Sequence, residues 1–467
     1  MAKDKIRGND LLKLGVPHGR TITMVLDIFQ KNFKKDKKEK KLALLSEVMR
    51  APEKYSDDAV FGSFVTELLE PQVYRREIAL RSEQLDYAIY GAENIEKGAR
   101  SQIEIATKLP VAVGAALMAD AHHGYGLPIG GVLATENAVI PYGVGVDIGC
   151  RMCMTIYNMP ENYLERHRSN LKQYLMDHTE FGTGNGFSKP MDDPIFDRPE
   201  FDEIKVVRYN KDKAYKQIGS SGSGNHFVEF GEVEITDADN EWGIETGKYL
   251  GILSHSGSRA LGANIAKHYT QLAMSLCRLP NQAKHLAWLD LNSEAGQEYW
   301  LAMNLAGDYA SACHHQIHKK LAKALGEKPV AQIENHHNFA WKEKLANGKE
   351  VIVHRKGATP AKKGELGIIP GSMVAPGYIV RGKGNAASLN SASHGAGRVM
   401  SRSKARETNS KKELRQILKK HEVNLIGGGL DEAPMAYKDI EKVMQAQRDL
   451  VDVVGKFQPK IVRMDNA

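Results

Sequence analysis

The sequence predicts a mixed helix-and-strand protein in two parts, a helical N-terminal appendage over residues 1–85 and a larger body over residues 86–467. Three observations carry this reading. The chain has 467 residues and 42% hydrophobic content, more than one ordinary domain needs and enough to fill a sizeable core. Helical periodicity marks the opening segment. From Asp120 onward, glycine is too frequent for helix, and the β-branched residues between the glycines suit short strands joined by tight turns.

In the appendage, Ile22, Val25, Leu26 and Phe29 follow the i, i+3, i+4, i+7 pattern of one helix face, with Asn9 or Asp10 able to cap an earlier turn. The basic run Lys31–Lys41 leads into LALLSEVM, a second helix with a charged entrance that is either solvated or in contact with phosphate. Pro52 and the polar residues after Tyr55 break the pattern, helix resumes over Phe61–Leu69, and the appendage ends near Pro71. The stretch GNDLLKLGVPHGRTI is similar to a short helical segment of tRNA nucleotidyltransferases near their RNA-handling end.

The body opens with a helix over Ile95–Leu109. Next comes DAHHGYGLPIGGVLATENAVIPYGVGVDIGCRMC, residues 120–153. Residues 160–178 place Leu164, Leu171, Tyr174 and Leu175 on one helical face, and the polar, proline-bearing segment 188–204 reads as a surface loop. GSSGSGNHFVEF presents Asn225 and His226 at the mouth of a strand, KYLGILSHSGSR ends a strand in His255 and Arg259, and residues 293–325 read as helix. No apolar run is long enough for a membrane span, MAKDKIRGND offers no apolar signal region, and four cysteines do not make a disulfide framework. A reducing cytoplasm is therefore expected. A net charge of +7 tolerates a polyanionic partner without requiring one.

Chemistry-bearing residues concentrate around the glycine-rich stretch. Asp147 and Cys150 are spaced so that a sharp turn brings a carboxylate and a thiolate to one ion, and Asp120 with His122 makes a separate pair. His314 and His318 also have metal-pair spacing, but no acidic residue sits among them and they read as exposed or supporting side chains. Cys150-Arg-Met-Cys153 imitates a redox motif, yet lacks a surrounding βαβ unit. Cys153 is expected to be simply buried. In SHGAGR, His394 is followed by small residues and Arg398, so a neutral imidazole there is approachable by phosphorus while the guanidinium neutralises a phosphoryl oxygen.

Taken in order, DAHHGYGLPIGG, VGVDIGC, SGNHF, HSGSR, HHN, RKGA, IPGSM, SHGAGRVMSR and APMAYKD closely resemble the RtcB family of tRNA-splicing RNA ligases over residues 90–460. The resemblance implies an α+β fold of mixed sheets flanked by helices with no Rossmann core. It also implies two Mn²⁺ ions, with Zn²⁺ a possible substitute, and GTP-dependent joining of an RNA 3′-phosphate or 2′,3′-cyclic phosphate to a 5′-hydroxyl. Carried over by motif, Cys150 bridges the two ions, with Asp147 and His337 completing one site and His226 and His255 the other. His394 attacks the α-phosphorus of GTP to give a histidine-GMP intermediate, and Asp120 orients its ring. Asn225, Glu229, Asn338, Pro370, Gly371, Ser372, Met373, Gly395, Ala396, Gly397 and Tyr437 hold the nucleotide, and Arg259 and Arg398 take RNA or nucleotide phosphates. An archease-like activator is a further partner that the resemblance suggests, and no membrane is expected.

Three positions depart from the family pattern. Gly377 stands where a serine contacts guanine, Met464 stands near a base-reading lysine of a terminal Lys-Gly, and Arg151 replaces a glycine after the metal cysteine. These mark a divergent branch with a less secure preference for guanine. Two alternatives stay open: a metal-dependent phosphohydrolase acting on RNA ends, which keeps the metals without needing His394, and an RNA-binding paralogue without turnover.

Overall fold

The computed structural model describes residues 6–16, 20–34, 36–69, 77–160 and 162–466. The chain forms two compact units, residues 1–76 and 77–467. The first is helical, with helices Gly8–Lys13, Arg20–Asn32, Lys38–Arg50 and Gly62–Leu69. They close over Leu11, Val25, Phe29, Leu45, Val48, Phe64 and Val65. Val25 and Phe29 are buried and Ile22 and Leu26 half-buried, as the periodicity requires. Asp10 sits inside the first helix, where its carboxylate accepts from the Arg7 amide and the Lys38 ammonium, both at 2.8 Å. The expected end near Pro71 lies outside the described residues.

The division falls nine residues before the expected boundary at 85. Residues 77–85 belong with the second unit: Ile78, Leu80 and Leu85 pack against its core, the Ile78 amide donates to the Arg278 carbonyl, and Arg81 bonds the Lys108 carbonyl through its amide and the Pro110 and Ala112 carbonyls through its guanidinium. Two sheets organise the second unit. One has the order Ala88–Ile89, Ala112–His122, Ile129–Thr135, Glu350–Lys356, Asn338–Lys344. The larger has the order Leu366–Ile369, Gly377–Gly382, Val451–Met464, Phe227–Ile235, Gly247–Ser256, Arg151–Tyr157, Ala331–His336, with Asn424–Ile426 also paired to Val451–Met464. Pairing in both is antiparallel except for Ala88–Ile89 on Ala112–His122 and Asn424–Ile426 on Val451–Met464, so the unit is α+β and carries no doubly wound parallel core.

Helix Glu294–Leu325 lies beside helix Arg259–Leu276 and over the strands Gly247–Ser256 and Arg151–Tyr157. The helix expected over 160–178 is broken at His167 into Tyr163–Arg166 and Arg168–His178, with Leu171 and Leu175 buried. Segment 188–204 differs from the expected surface loop. Its turns Pro194–Asp197 and Glu200–Glu203 bury Ile195, Phe201 and Ile204, so three apolar side chains among polar neighbours were enough to draw it into the core.

Candidate active site

Four adjacent strands of the larger sheet end at the same level, and each end supplies one side chain. Phe227 pairs with His255, and Arg151 pairs with both Ser256 and His336. His226, just before its strand, His255, within its strand, Cys150, just before its strand, and His337, just after its strand, therefore form a row across the sheet. Register alone brings together residues far apart in sequence. Asp147 joins the row from the turn before Cys150. Its carboxylate occupies the space a Cβ on Gly257 would need, 2.0 Å away, which explains the glycine in HSGSR.

The row divides differently from the motif-based expectation. His226 Nε2 is 3.0 Å from Asp147 Oδ2 and 3.5 Å from Cys150 Sγ, whereas Cys150 Sγ is 3.2 Å from His255 Nε2, itself 3.3 Å from His337 Nε2. One set is thus Asp147, Cys150 and His226, and the other Cys150, His255 and His337. Cys150 is shared, as expected. His226 and His337 exchange places, because the strand order puts His255 and His337 on either side of Cys150, while the Asp147 turn crosses Gly257 beyond the end of the His255 strand to meet His226.

These donors fit divalent metal ions. His255 Nδ1 donates to the Asn225 carbonyl at 2.9 Å, which leaves the Nε2 lone pair directed at Cys150 and His337. Burial lowers the His255 imidazole to about 3 and the His337 imidazole well below its ordinary value, so both stay neutral. Burial and the Asp147 carboxylate together raise the Cys150 thiol, so it keeps its proton unless a cation stabilises the thiolate. The Nδ1 atoms of His226 and His337 are buried without a partner.

Arg151 is accommodated rather than disruptive. Its buried guanidinium donates to the carbonyls of Gly307 at 2.7 Å and Gly149 at 3.3 Å and pairs with Glu334 at 3.4 Å. Cys153, His314 and His318 form a third buried group, where the sequence suggested exposed or supporting histidines. Its hydrogen bonds close without an ion. Ser254 Oγ donates to His314 Nδ1 and accepts from His318 Nε2, Thr155 donates to His318 Nδ1, and His314 Nε2 donates to the Ser256 carbonyl. Burial holds the Cys153 thiol up at about 12, so this group is a neutral network behind the metal row.

His394 stands beside the row, its ring centroid 5.0 Å from that of His337. Its Nδ1 donates to Asp120 Oδ2 at 2.6 Å, and the same oxygen accepts the backbone amides of His394 at 3.1 Å and Gly395 at 3.3 Å. Burial pushes the Asp120 carboxyl up, but the His394 imidazole and its hydrogen bond, with Lys438 beyond, outweigh this and hold it below the ordinary value. Lys438 donates to the carbonyls of Ala119 and Ala121 and fixes the strand that carries Asp120. Nδ1–H is therefore committed to Asp120, and Nε2 is without a protein partner among the described residues.

A cavity of about 250 Å³ opens from His394, His337 and His255. Asn225, Glu229, Pro370, Gly371, Ser372, Met373, Gly395, Ala396, Gly397, Arg398 and Tyr437 line it, as do two of the three departures, Gly377 and Met464. Gly397, at φ +74°, has the Asp120 carbonyl where a Cβ would go, so the chain after His394 turns tightly over Asp120. Glu229 is 3% exposed, and burial raises its carboxyl well above the ordinary value. Asn338 and Arg259 lie elsewhere. Asn338 accepts from the Gly357 amide at 2.8 Å and donates to the Asp147 carbonyl at 3.4 Å, bracing the metal turn. Arg259 is buried against Ser220 and the Gly182 carbonyl, bracing the loop before His226.

The structure adds Arg402 and Glu432 to the cavity wall. Glu432 accepts from Arg398, Arg402 and Tyr437, and Arg402 reaches Asn225 at 3.3 Å. Arg402 closes the SHGAGRVMSR motif and Glu432 precedes APMAYKD, so adjacency to those motifs was the available signal.

Comparison with known proteins follows the same lines. The family model described as tRNA-splicing ligase RtcB matches residues 102–199 and 191–465. The RNA-splicing ligase RtcB of Escherichia coli (strain K12) is 36% identical over 397 residues, covering 77% of this chain and 92% of the relative. RNA-splicing ligase RtcB homolog 1 of Entamoeba dispar is 31% identical over 428 residues, covering 76% and 80%. The tRNA-splicing ligase RtcB of Methanococcus maripaludis is 29% identical over 429 residues, covering 76% and 89%.

Proposed function

The chain belongs to the RtcB family, and we propose that it is an RNA ligase that joins 3′-phosphate or 2′,3′-cyclic-phosphate ends to 5′-hydroxyl ends, using GTP and Mn²⁺, in RNA repair or tRNA splicing. One observation carries the reading: His394 is held by Asp120 in the tautomer that leaves Nε2 bare, beside a ready-made row of metal donors. A phosphohydrolase would need the metal row but has no use for an imidazole fixed in this way.

In this reading, Nε2 of His394 attacks the α-phosphorus of GTP, a phosphorus–nitrogen bond forms, and the bond to pyrophosphate breaks. Asp120 holds the Nδ1 proton and offsets the positive charge that grows on the ring. Asp147, Cys150 and His226 would hold one ion and Cys150, His255 and His337 the other. Mixed oxygen, nitrogen and sulfur donors suit Mn²⁺ and also admit Zn²⁺. When bound, such ions neutralise charge on the phosphates and on entering and leaving oxygens. Glu229 lines the cavity that would take the nucleotide, and Arg398 and Arg402 bring cations to its wall. Gly377 and Met464 also line the wall and offer no base-reading side-chain donor, so exclusion of ATP is expected to be incomplete.

The test is self-labelling. With Mn²⁺ and α-labelled GTP, the protein should acquire label that acid removes and alkali does not, and His394→Ala should abolish both label and ligation. Label-free wild-type protein that removes RNA terminal phosphates regardless of His394→Ala would replace this reading with the phosphohydrolase.

The same reading extends to residues 1–76 as an RNA-contacting appendage. This unit carries sixteen lysines and arginines against eleven aspartates and glutamates, so it holds +5 of the chain's +7. Lys38 and Lys40 are paired with Asp10 and Asp36, while Lys31, Lys34, Lys37 and Lys41 have no ion-pair partner among the described residues. Unpaired cations at one helix junction supply phosphate contacts without base preference.

A further inference from the structure

We propose that the aromatic cluster of Tyr125, Tyr142 and His285 is a stacking platform for an unpaired nucleobase of the RNA end that approaches His394. The inference rests on the ligase reading for the identity of its ligand. Tyr125 is 68% exposed at the tip of the loop between strands Ala112–His122 and Ile129–Thr135. Both ends of that loop, His122 and Ile129, line the cavity that contains His394. The ring lies 6.3 Å from that of Tyr142 and 6.4 Å from that of His285, and the last two are 5.2 Å apart.

The backbone beneath the exposed Tyr125 ring is fixed rather than slack. Gln102 bonds both the amide and the carbonyl of Gly124. The buried Lys356 ammonium donates to the carbonyls of Tyr125 at 2.5 Å and Tyr142 at 3.2 Å, and it lies 4.9 Å from the Tyr142 ring centroid. A Cβ on Gly126 would come within 3.0 Å of the His285 carbonyl, so the loop is closed down on that residue. The ring is projected outward from a braced loop, which spares a ligand the cost of ordering it.

Position and charge select the ligand. The residue after Lys356 is Gly357, whose Cβ position is 3.2 Å from Cε1 of His394, so one strand end links the platform to the nucleophile. Lys284 is exposed next to His285 and offers a cation to a neighbouring phosphate. A polyanion with flat, unpaired bases matches a cation beside an exposed ring, and stacking accepts every base because each has a π-face. That tolerance suits a site that must engage ends of differing sequence.

The experiment uses the full chain and a short single-stranded RNA with a 3′-phosphate and 2-aminopurine as its terminal base. Tyr125→Ala and Tyr125→Leu should raise the KM for RNA by roughly 5- to 150-fold, the loss of one stacked base, while Tyr125→Phe stays within about twofold of wild type. Wild type and Tyr125→Phe should quench 2-aminopurine, and the Ala and Leu variants should not. Labelling by GTP, which involves no RNA, and thermal melting should both be unmoved. Unchanged KM and equal quenching across all four proteins would overturn the platform. If wild type neither labels nor joins RNA, the ligase reading fails separately, and quenching by wild type but not by Tyr125→Ala still supports the platform.

Discussion

Replacing Asp120 by Asn separates two ways in which a carboxylate can serve a nucleophilic histidine. Oδ2 of Asp120 accepts three N–H groups, from the His394 ring and from the amides of His394 and Gly395, while Oδ1 is buried with no partner. In Asp120→Asn, placing the amide nitrogen at the Oδ2 position would face three donors with a fourth, so the carboxamide oxygen must remain there. The tautomer of His394 is therefore kept. What is lost is charge assistance, the difference between about 1.5–3 kcal/mol for a charged hydrogen bond and about 0.5–1.5 kcal/mol for a neutral one. A loss of about 1–2 kcal/mol predicts a fall in the self-labelling rate of roughly 5- to 30-fold. The amide nitrogen then occupies the unpartnered Oδ1 position, which should lower unfolding stability by about 1–3 kcal/mol. Rapid-quench labelling with α-labelled GTP and urea unfolding measure the two effects. A fall near 10⁴-fold, the size seen when an Asp-to-Asn change leaves a catalytic histidine in the wrong tautomer, would refute the argument. So would an unchanged rate.

Asp120→Ala, which strands all three N–H groups, should lose most labelling and ligation while still binding metal, as metal analysis of the folded variant would show. Cys150→Ala should empty both metal sites. Asp147→Ala and His226→Ala should chiefly affect one, and His255→Ala and His337→Ala the other; matched losses across all five would refute a bridging thiolate. Burial would raise the Glu334 carboxyl, but His315, Arg151 and Ser311 together hold it down to about 2. Its contribution is thus present above about pH 4.5 and lost as pH falls toward 2, and Glu334→Gln should remove about 1–2 kcal/mol of acid sensitivity in that window after allowance for partial exposure. Changing Lys31, Lys34, Lys37 and Lys41 together to Gln should flatten the log–log salt dependence of RNA binding by up to about 3, at ~0.7 per phosphate contact, and leave labelling intact. An unaltered slope would assign those lysines to a solvated surface.

Much of the site was legible because its chemistry is written in short motifs. Asp147 and Cys150, and His394 with its small neighbours, declare themselves locally. The division of the metal row was not legible, since it depends on which strands flank Cys150 and on the Asp147 turn crossing Gly257 to reach His226, a contact between separate parts of the chain. Asn338 and Arg259 carried the right chemistry but spend it on backbone, a use that only the fold reveals. Tyr125 lies in the most informative stretch of the chain, but an aromatic residue between glycines gives no sign of whether its ring is buried. Segment 188–204 shows the converse error: a polar average concealed Ile195, Phe201 and Ile204.

The histidines show why residue type and spacing cannot by themselves separate a ligand from its support. His314 and His318 are as buried as His255 and His337, and burial keeps all four neutral. The difference lies in where the ring nitrogens point. Hydroxyls and a carbonyl satisfy every nitrogen of His314 and His318, so a cation there would have to displace existing bonds. His255 spends only Nδ1 on a carbonyl, and its Nε2 meets a thiol and a second imidazole nitrogen within 3.3 Å. Lone pairs crowded together without enough protons to share are stabilised by a cation. That arrangement, with His394 held open beside it, concentrates the chemistry at one end of the larger sheet and leaves the histidines of the long helix to hold that end rigid.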